Sequence, residues 1–342
     1  MKALVYQGPG RVEIVDQGIP QPGPEEVLVA VRAAGVCGSD VHGFTGVTGR
    51  RAPGLVMGHE AAGEVVAHGE GVDRPRRGSR VALFPIVACG RCPACWRGQS
   101  QQCPHRRVLG VDRPGAFAEY VVVPARNCRP IGRRTPFAHA ALAEPLAVGL
   151  HATALAGIRP GEPVAVLGAG GIGLCAVVAC HLRGAGPVYV TDLLPERLAV
   201  AEALGAVPLE ARPGDGGLPP GPQGRLARVI DTVGTSSTLE QALVLTSPGG
   251  RVVVVGMGSP EARLPVYELI TQERVLVGSY AYTAREYDRA VRHIARRRVD
   301  MTPLIGRTCG LEDLPEVFPR LARGEITSPR VVATVESERA PL

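Results

Sequence analysis

From about Pro145 onward, short apolar segments alternate with segments of helix length. The apolar segments, which are typical of buried strands, are residues 164–168, 188–191, 229–231, 251–255 and 275–278. The longer segments between them include residues 171–183, 195–204 and 239–245, which we predict to be helices. Such alternation predicts a parallel sheet covered by helices on both faces, and therefore an α/β fold.

The first 145 residues have a different pattern, in which Gly and Pro separate short strand-like segments. These predicted strands are residues 2–6, 27–33, 63–67, 80–83 and 118–123. The end of the chain offers a helix from residue 285, a segment at 311–323 and a last strand at 330–335. We therefore expect a β-rich domain at 1–145, a doubly wound parallel-sheet domain at 146–284, and a C-terminal segment, 285–342, that completes the first domain. Residues 213–224 are so rich in Pro and Gly that we predict a loop.

A glycine turn joins the first predicted strand of the second domain to its first helix. Gly168, Gly170 and Gly173 have the G-x-G-x-x-G spacing, and Gly171 and Ile172 complete the turn. The first glycine permits a tight turn, the second lets backbone approach a pyrophosphate, and the third lets the helix pack on the strand. The pattern predicts a dinucleotide site.

Asp192 lies at the end of the next predicted strand, where a carboxylate accepts hydrogen bonds from the adenosine ribose and repels a 2′-phosphate. This position favours NAD over NADP. Arg197, on the following helix, is a cation that could weaken that preference.

The first third of the chain contains two groups of metal-ligating residue types. Cys89, Cys92, Cys95 and Cys103 form a Cys-x2-Cys-x2-Cys-x7-Cys pattern, and four thiolates can close a tetrahedral structural zinc site. The second group combines Cys37, His59 and Glu60 with Glu144. One thiolate, one imidazole and carboxylates from distant segments are typical of a metal that keeps a coordination position open for substrate.

Length, composition and net charge limit the kinds of protein that this chain can be. The chain has 342 residues and a hydrophobic content of 45%, with no long apolar segment and no signal peptide. We therefore expect a cytoplasmic protein whose thiols are reduced. The net charge of +6 and the basic segment 292–298 raise the question of nucleic acid. With only 4% aromatic residues to stack on bases, we interpret this segment as a solvated helix face and expect no nucleic-acid or membrane partner.

These motifs together resemble the zinc-containing medium-chain dehydrogenase/reductase family, and most closely its sorbitol and polyol dehydrogenase branch. The resemblance is carried by Cys37-Gly-Ser-Asp-x-His42, by Gly58-His59-Glu60, by the four cysteines, by Glu144-Pro-Leu and by the glycine turn. It implies a GroES-like catalytic domain, a Rossmann NAD-binding domain, one catalytic and one structural zinc per subunit, and a homodimer or homotetramer. The implied activity is hydride transfer between a secondary alcohol and NAD.

The resemblance also implies a role for each residue near the catalytic zinc. Cys37 and His59 would bind the ion, Glu60 would be a direct or exchanging ligand, and Glu144 would touch the zinc or hold its water. Ser39 would accept the proton of the substrate, and His42 would relay that proton toward solvent.

Two departures from the family pattern bear on the substrate. Gly43 stands where a tyrosine usually follows the relay histidine, and Ala281-Tyr282 stands where polyol enzymes carry Arg-Tyr. A roomier, less charged pocket could suit a cyclitol, an amino-cyclitol, a sugar phosphate or a larger alcohol, with Phe44, Phe117 and Tyr282 as candidate walls. The alternatives are an L-threonine 3-dehydrogenase-like enzyme, a zinc-free NADPH reductase of the same fold, and a nucleic-acid-binding zinc ribbon.

Overall fold

The computed structural model describes residues 1–210 and 225–336, so the proline-rich segment at 213–224 lies outside the described residues. The chain divides into two compact units. One unit comprises Met1–Glu144 together with Thr283–Leu342, and the other comprises Pro145–Tyr282.

The first unit begins with ten strands and three short helices. In chain order they are β1 (Lys2–Gly8), β2 (Arg11–Asp16), β3 (Glu26–Val36), α1 (Gly38–Phe44), β4 (Leu55–Val56), β5 (Glu60–His68), β6 (Arg80–Leu83), β7 (Ile86–Val87), α2 (Pro93–Trp96), β8 (Arg107–Val108), β9 (Tyr120–Pro124), β10 (Cys128–Pro130) and α3 (Phe137–Ala141). The expectation of strands alone in this part was incomplete. The three helices contain only seven, four and five residues, which is too short to show a helical period in the sequence.

The second unit and the C-terminal segment follow. Their elements are α4 (Ala143–Ala156), β11 (Val164–Leu167), α5 (Gly171–Leu182), β12 (Val188–Asp192), α6 (Pro195–Ala203), β13 (Val207–Glu210), β14 (Leu226–Asp231), α7 (Ser236–Leu245), β15 (Thr246–Val254), α8 (Val266–Thr271), β16 (Val275–Gly278), α9 (Ala284–Ala295), β17 (Arg307–Gly310), α10 (Leu314–Ala322) and β18 (Val331–Thr334). Short 3-10 turns lie at Ser100–Gln102, Ala125–Asn127, Thr302–Leu304 and Leu311–Asp313.

The main sheet of the first unit is organised around β3. Its strand order is β10-β6-β5-β3-β18-β17, and β9 also pairs with β3. The C-terminal strand β18 pairs antiparallel with β3, so the end of the chain completes the sheet that the N-terminal part begins. A three-stranded sheet of order β2-β1-β4 belongs to the same unit.

The described residues of the second unit, 145–210 and 225–282, form a six-stranded sheet of order β13-β12-β11-β14-β15-β16, in which every pair is parallel. With β11 as the first strand, this order is 3-2-1-4-5-6, that of the Rossmann fold. The predicted α/β class is confirmed. Burial is greatest at the centre of the sheet, where every residue of β11 is buried, and lower at its edge strand β16.

Aromatic side chains fill the core of the first unit. The ring centroid of Phe318 lies 5.6 Å from that of Phe44 and 6.0 Å from that of Phe117. Phe44 and Phe117 are 4% and 0% exposed in this core, and Tyr282 of the second unit is 0% exposed, so the suggestion that these three side chains form pocket walls was wrong. Cys128, Cys175 and Cys180 are also buried, whereas Cys309 is half-buried. In the part of the chain that the structure describes, no helix is long and apolar enough to span a bilayer.

Helix α9 is attached to the N-terminal sheet by one buried hydrogen bond. The hydroxyl of Tyr287 donates to the backbone carbonyl of Leu83 at the end of β6, at 2.7 Å. Burial raises the pKa of Tyr287 well above its ordinary value, so this hydroxyl stays protonated and remains a donor.

We expect Tyr287→Phe to lower the free energy of unfolding by about 1–3 kcal/mol, because it leaves a buried carbonyl without its donor. The matched control is Tyr267→Phe on α8. It removes the same hydroxyl from a side chain that is 82% exposed, where water is the partner of that hydroxyl. Urea unfolding followed by circular dichroism measures both. An equal effect of the two substitutions would contradict this account.

Candidate functional site

The strand register of the central sheet brings distant residues to one edge. In the β3–β5 pair, Gly35 lies opposite Glu60, and in the β3–β18 pair, Val36 lies opposite Val331. Cys37 directly follows β3, His59 directly precedes β5, and Arg330 directly precedes β18. Residues from three separate parts of the sequence therefore meet at the end of β3.

Cys37, His59 and Glu60 form a candidate metal centre. One ligand atom from each residue lies within 4.8 Å of the others. Glu60 is fully buried, and its Oε2 atom has no hydrogen-bond donor among the described residues. A buried carboxylate oxygen without a donor is costly unless it binds a cation, and thiolate, imidazole and carboxylate are the ligands that zinc takes. The residues present fit a zinc ion.

Arg330 supports the carboxylate of this group. Its Nη1 atom donates to Oε1 of Glu60 at 2.7 Å, and both side chains are buried. Burial raises the pKa of Glu60 well above its ordinary value, with the charges of Cys37 and Glu144 acting in the same direction and Arg330 opposing them. The sequence analysis did not identify Arg330, because nothing in its local sequence distinguishes it from an ordinary arginine near a strand.

The thiol and the imidazole stabilise one another's charged forms. Burial alone would raise the pKa of Cys37, but the hydrogen bond with His59, its charge and that of Arg330 outweigh burial and lower the pKa to about 5. Burial would lower the pKa of His59, but Asp40 and Cys37 raise it well above its ordinary value. The site thus favours a thiolate at Cys37, the form that binds metal.

Asp40 and Arg51 form the layer behind these ligands, and the sequence analysis missed both. Oδ1 of Asp40 lies 3.2 Å from Nδ1 of His59, off the line of a straight hydrogen bond, and Oδ2 accepts from the backbone N–H of Cys37 at 3.1 Å. Burial would raise the pKa of Asp40, but the charges of His59 and Arg51 together with hydrogen bonds lower it below its ordinary value. The carboxylate is therefore ionised beside the imidazole.

The remaining candidate residues of this centre lie on two helices. Ser39 and His42 are half-buried in α1, one helical turn apart. Glu144 is buried in the first turn of α4 and lies close enough to Glu60 to raise its pKa. Glu144 is not part of the group within 4.8 Å, so the structure brings Cys37, His59 and Glu60 together and leaves Glu144 beside them.

Cys89, Cys92, Cys95 and Cys103 form a second candidate metal centre, and all four sulfurs lie within 4.8 Å of one another. Sγ–Sγ distances of 3.5 Å for Cys92–Cys95 and Cys89–Cys103, and 3.9 Å for Cys89–Cys95, exclude disulfides. Four sulfurs about 2.3 Å from a tetrahedral zinc lie about 3.8 Å apart, close to these distances. Backbone N–H donation from Arg91 lowers the pKa of Cys89 to about 6, which favours its thiolate.

The predicted glycine turn connects β11 to α5. Gly168 has a φ of +91°, a conformation that favours glycine, and a Cβ at Gly173 would lie 1.8 Å from the carbonyl oxygen of Gly168. A Cβ at Gly170 would meet nothing within 4 Å. Two of the glycines are thus required by the turn itself, whereas Gly170, followed by Gly171 and Ile172 in the first turn of α5, faces open space. This is the arrangement that lets an anion approach the N-terminus of a helix.

Asp192 at the end of β12 is tied to that turn. Its Oδ2 accepts from the backbone N–H of Ala169 at 2.7 Å, and its Oδ1 accepts from that of Leu194 at 3.0 Å. Nη1 of Arg197 lies 3.9 Å from Oδ2. The carboxylate is thus oriented by backbone on both sides.

Two residues at the end of β14 support this turn, and neither was predicted from the sequence. The hydroxyl of Thr232 lies 2.8 Å from the carbonyl of Leu167 and 3.2 Å from that of Gly168. Asp231, fully buried, accepts from the backbone N–H groups of Val233 and Gly234 at 2.9 and 3.0 Å. The end of β14 therefore braces the glycine turn from the neighbouring strand.

Comparison with known proteins finds relatives of both parts of the chain. The alcohol dehydrogenase GroES-like domain model matches residues 23–133, and the zinc-binding dehydrogenase model matches residues 221–296. The chain is 34% identical to L-galactonate-5-dehydrogenase of Escherichia coli K12 over 94% of this chain and 95% of that protein. It is also 34% identical to sorbitol dehydrogenase of Bacillus subtilis 168 over 94% and 93%.

Solved structures give the same result. A zinc-binding dehydrogenase from Sinorhizobium meliloti 1021, bound to NADP, superimposes with a TM-score of 0.89 at 32% identity, covering 97% of this chain and 98% of that one. The resemblance found in the sequence is thus confirmed, and with it the Rossmann sheet. The chain belongs to the zinc-containing medium-chain dehydrogenase family, in its polyol dehydrogenase branch, and is an oxidoreductase that acts on alcohols.

Proposed function

We propose that this enzyme transfers a hydride reversibly between the carbon of a secondary alcohol and NAD, with a catalytic zinc held by Cys37, His59 and Glu60. The observation that carries the proposal is the convergence of these three ligand atoms within 4.8 Å at the end of β3. The buried, donor-free Oε2 of Glu60 supports it, because that atom needs a cation.

We assign a role to each nearby residue from its position together with the family resemblance. When bound, zinc supplies Lewis acidity that makes an alcohol acidic enough to lose its proton near neutral pH. We assign the acceptance of that proton to Ser39 and its relay toward solvent to His42, one turn further along α1. Glu144, whose charge reaches Glu60, is the residue that we assign to holding water or exchanging with Glu60 as a ligand.

We assign the cofactor to the glycine turn and its preference to Asp192. Gly168, Gly170, Gly171, Ile172 and Gly173 would hold the pyrophosphate at the start of α5. The oriented carboxylate would bind the adenosine ribose of NAD and repel a 2′-phosphate. Arg197, near that carboxylate, is the group through which some use of NADP could arise.

The substrate class that we propose is a polyhydroxylated secondary alcohol: a polyol, cyclitol, amino-cyclitol or similar compound. The likeness to enzymes named for L-galactonate and sorbitol supports this class. Gly43 cannot supply the tyrosine that usually follows the relay histidine in hexitol enzymes, although the space beside it is filled by the guanidinium of Arg51 and is not open to substrate. The alternatives are L-threonine and a sugar phosphate.

We further propose a structural zinc at Cys89, Cys92, Cys95 and Cys103, a cytoplasmic location and a homodimer or homotetramer. Exposed apolar side chains support self-association: Ile270 on α8 is 68% exposed, and Val275 on the edge strand β16 is 39% exposed.

We predict two zinc ions per chain, with separable functions. Cys37→Ser should remove one ion and abolish reduction of NAD, because a neutral hydroxyl replaces the thiolate ligand. Cys92→Ser should remove the other ion and lower the free energy of unfolding. Elemental analysis with urea unfolding measures both, and Cys309→Ser, outside both clusters, is the control. Full activity of Cys37→Ser, or of protein stripped of metal, would refute the proposed function.

Ser39→Ala should lower kcat by about 100-fold or more, since a positioned group that accepts a proton typically contributes that much. The metal content and the KM for NAD should be unchanged. The assay is NADH formation with the best alcohol from a panel of polyols, cyclitols, amino-cyclitols and threonine. Ser259→Ala, which removes an exposed hydroxyl from the other unit, is the control. An unchanged kcat would disprove the role of Ser39.

Asp192→Ala should raise the KM for NAD by about tenfold or more, because a hydrogen bond to a charged group contributes about 1.5–3 kcal/mol. It should also shift the ratio of kcat/KM for NADP over NAD toward NADP. Glu196→Ala, which removes a carboxylate from the first turn of α6, is the control. If the ratio stayed constant, Asp192 would not set the cofactor preference.

A further inference from the structure

Arg51 is a buried cation that donates to three separate groups. It lies in the connection between α1 and β4 and is 8% exposed. Its Nη1 donates to the carbonyl of Ser39 at 2.8 Å, its Nη2 to Oδ1 of Asp40 at 2.7 Å, and its Nε to the carbonyl of Gly110 at 3.0 Å. Every nitrogen of the guanidinium is thus engaged, as burial of such a group requires.

The carboxylate that Arg51 holds touches both residues assigned as soft zinc ligands. Oδ1 of Asp40, the atom bonded to Arg51, is also the atom 3.2 Å from Nδ1 of His59. Oδ2 of the same carboxylate accepts from the backbone N–H of Cys37. The position of Arg51 therefore determines where the Asp40 carboxylate lies between the imidazole and the thiol.

Gly43 makes room for this arginine. A Cβ at position 43 would lie 1.9 Å from Nη1 and 2.5 Å from Cζ of Arg51, so any larger residue would displace the guanidinium. Glycine is destabilising inside a helix relative to alanine, and Gly43 lies in the last turn of α1, where a larger residue would otherwise be tolerated. The buried guanidinium of Arg51 can therefore take its place only because position 43 has no side chain.

The contacts of Arg51 do more than tie its loop to helix α1. Hydrogen bonds to the backbone carbonyls of Ser39 and Gly110 would be enough for that purpose. The bond to Asp40 adds an ion pair in which the side chains are 3% and 0% exposed, where a fixed charge strongly orients its neighbours. Groups that bond to a metal ligand typically change metal affinity by about 10–100-fold when removed.

We propose that Arg51 is a positioning residue of the metal centre: it fixes the Asp40 carboxylate against His59 and Cys37, and Gly43 is required to admit it. This inference rests on the proposed function only in placing a metal at Cys37, His59 and Glu60. It does not depend on the substrate or on the cofactor.

The test uses the full-length protein and needs no turnover. Wild type, Arg51→Met and Arg51→Lys are dialysed against increasing concentrations of a zinc chelator, and the zinc that remains is counted. Arg51→Met should lose the ion that depends on Cys37 at a chelator concentration at least about tenfold lower than wild type. Arg51→Lys, which keeps the charge without the fork of donors, should fall between them.

Two controls separate positioning from general loss of structure. The zinc of the four-cysteine cluster is an internal control and should be retained as in wild type. Arg80→Met is the matched variant, because Arg80 also donates to backbone carbonyls, those of Gly132 and Thr135, without contacting the candidate metal centre. Retention of both ions by Arg51→Met at wild-type chelator concentrations would overturn the proposal. Loss of no ion in Cys37→Ser would instead refute the metal site itself.

Gly43→Ala provides an independent test if Arg51→Met does not fold. On its own, it should weaken retention of the Cys37-dependent ion by about the same factor as Arg51→Met. In an Arg51→Ala background it should add little, because the Nη1, Cζ and Cδ atoms that the new Cβ would meet are all absent. In cobalt-loaded protein, the thiolate-to-cobalt absorption that is present in a given chain and absent from its Cys37→Ser variant reports the same site optically, because the four-cysteine cluster contributes equally to both. Equal and additive effects of the two substitutions would show that Gly43 does not exist to admit Arg51.

Discussion

The pairing of β3 with both β5 and β18 is the constraint on which the candidate metal centre depends. Because side chains alternate between faces along a strand, a shift of one residue in either pair would move Glu60 or Arg330 away from Cys37. The C-terminal strand is therefore part of the site as well as of the sheet. This explains why the chain returns to its first unit after building a separate parallel sheet.

The same convergence concentrates buried charge. The thiolate of Cys37 and the carboxylates of Asp40 and Glu60 face the guanidinium groups of Arg51 and Arg330. Burial is the first cause of the raised pKa of Glu60, and the charges of Cys37 and Glu144 add to it while Arg330 opposes it. Burying charged groups is costly unless they are paired, so a cation bound at this place would stabilise the thiolate and the carboxylate of Glu60. The electrostatics of the centre and its set of ligand atoms lead to the same conclusion.

The sequence predicted those parts of the protein that depend on residues close to one another in the chain. The parallel strands, the helix after the glycine turn and the four-cysteine cluster each depend on residues within a short segment, and the structure contains all of them. Short helices such as α1 were missed because seven residues do not establish a period. Arg51 and Arg330 were missed for a different reason. Their partners lie elsewhere in the chain, and only the register of the sheet and the path of a loop bring them together.

The cofactor half shows the same division between local motif and distant support. The glycines are visible in the sequence because they are adjacent, but the turn that they form is braced by Thr232 from β14, far along the chain. Buried Asp231 in turn fixes the loop that carries Thr232, through backbone N–H groups. In both halves, then, the reactive or binding groups lie at strand ends, and buried polar side chains from neighbouring strands and loops hold them. Substitutions that alter function without touching a motif should therefore be sought first among these supporting residues.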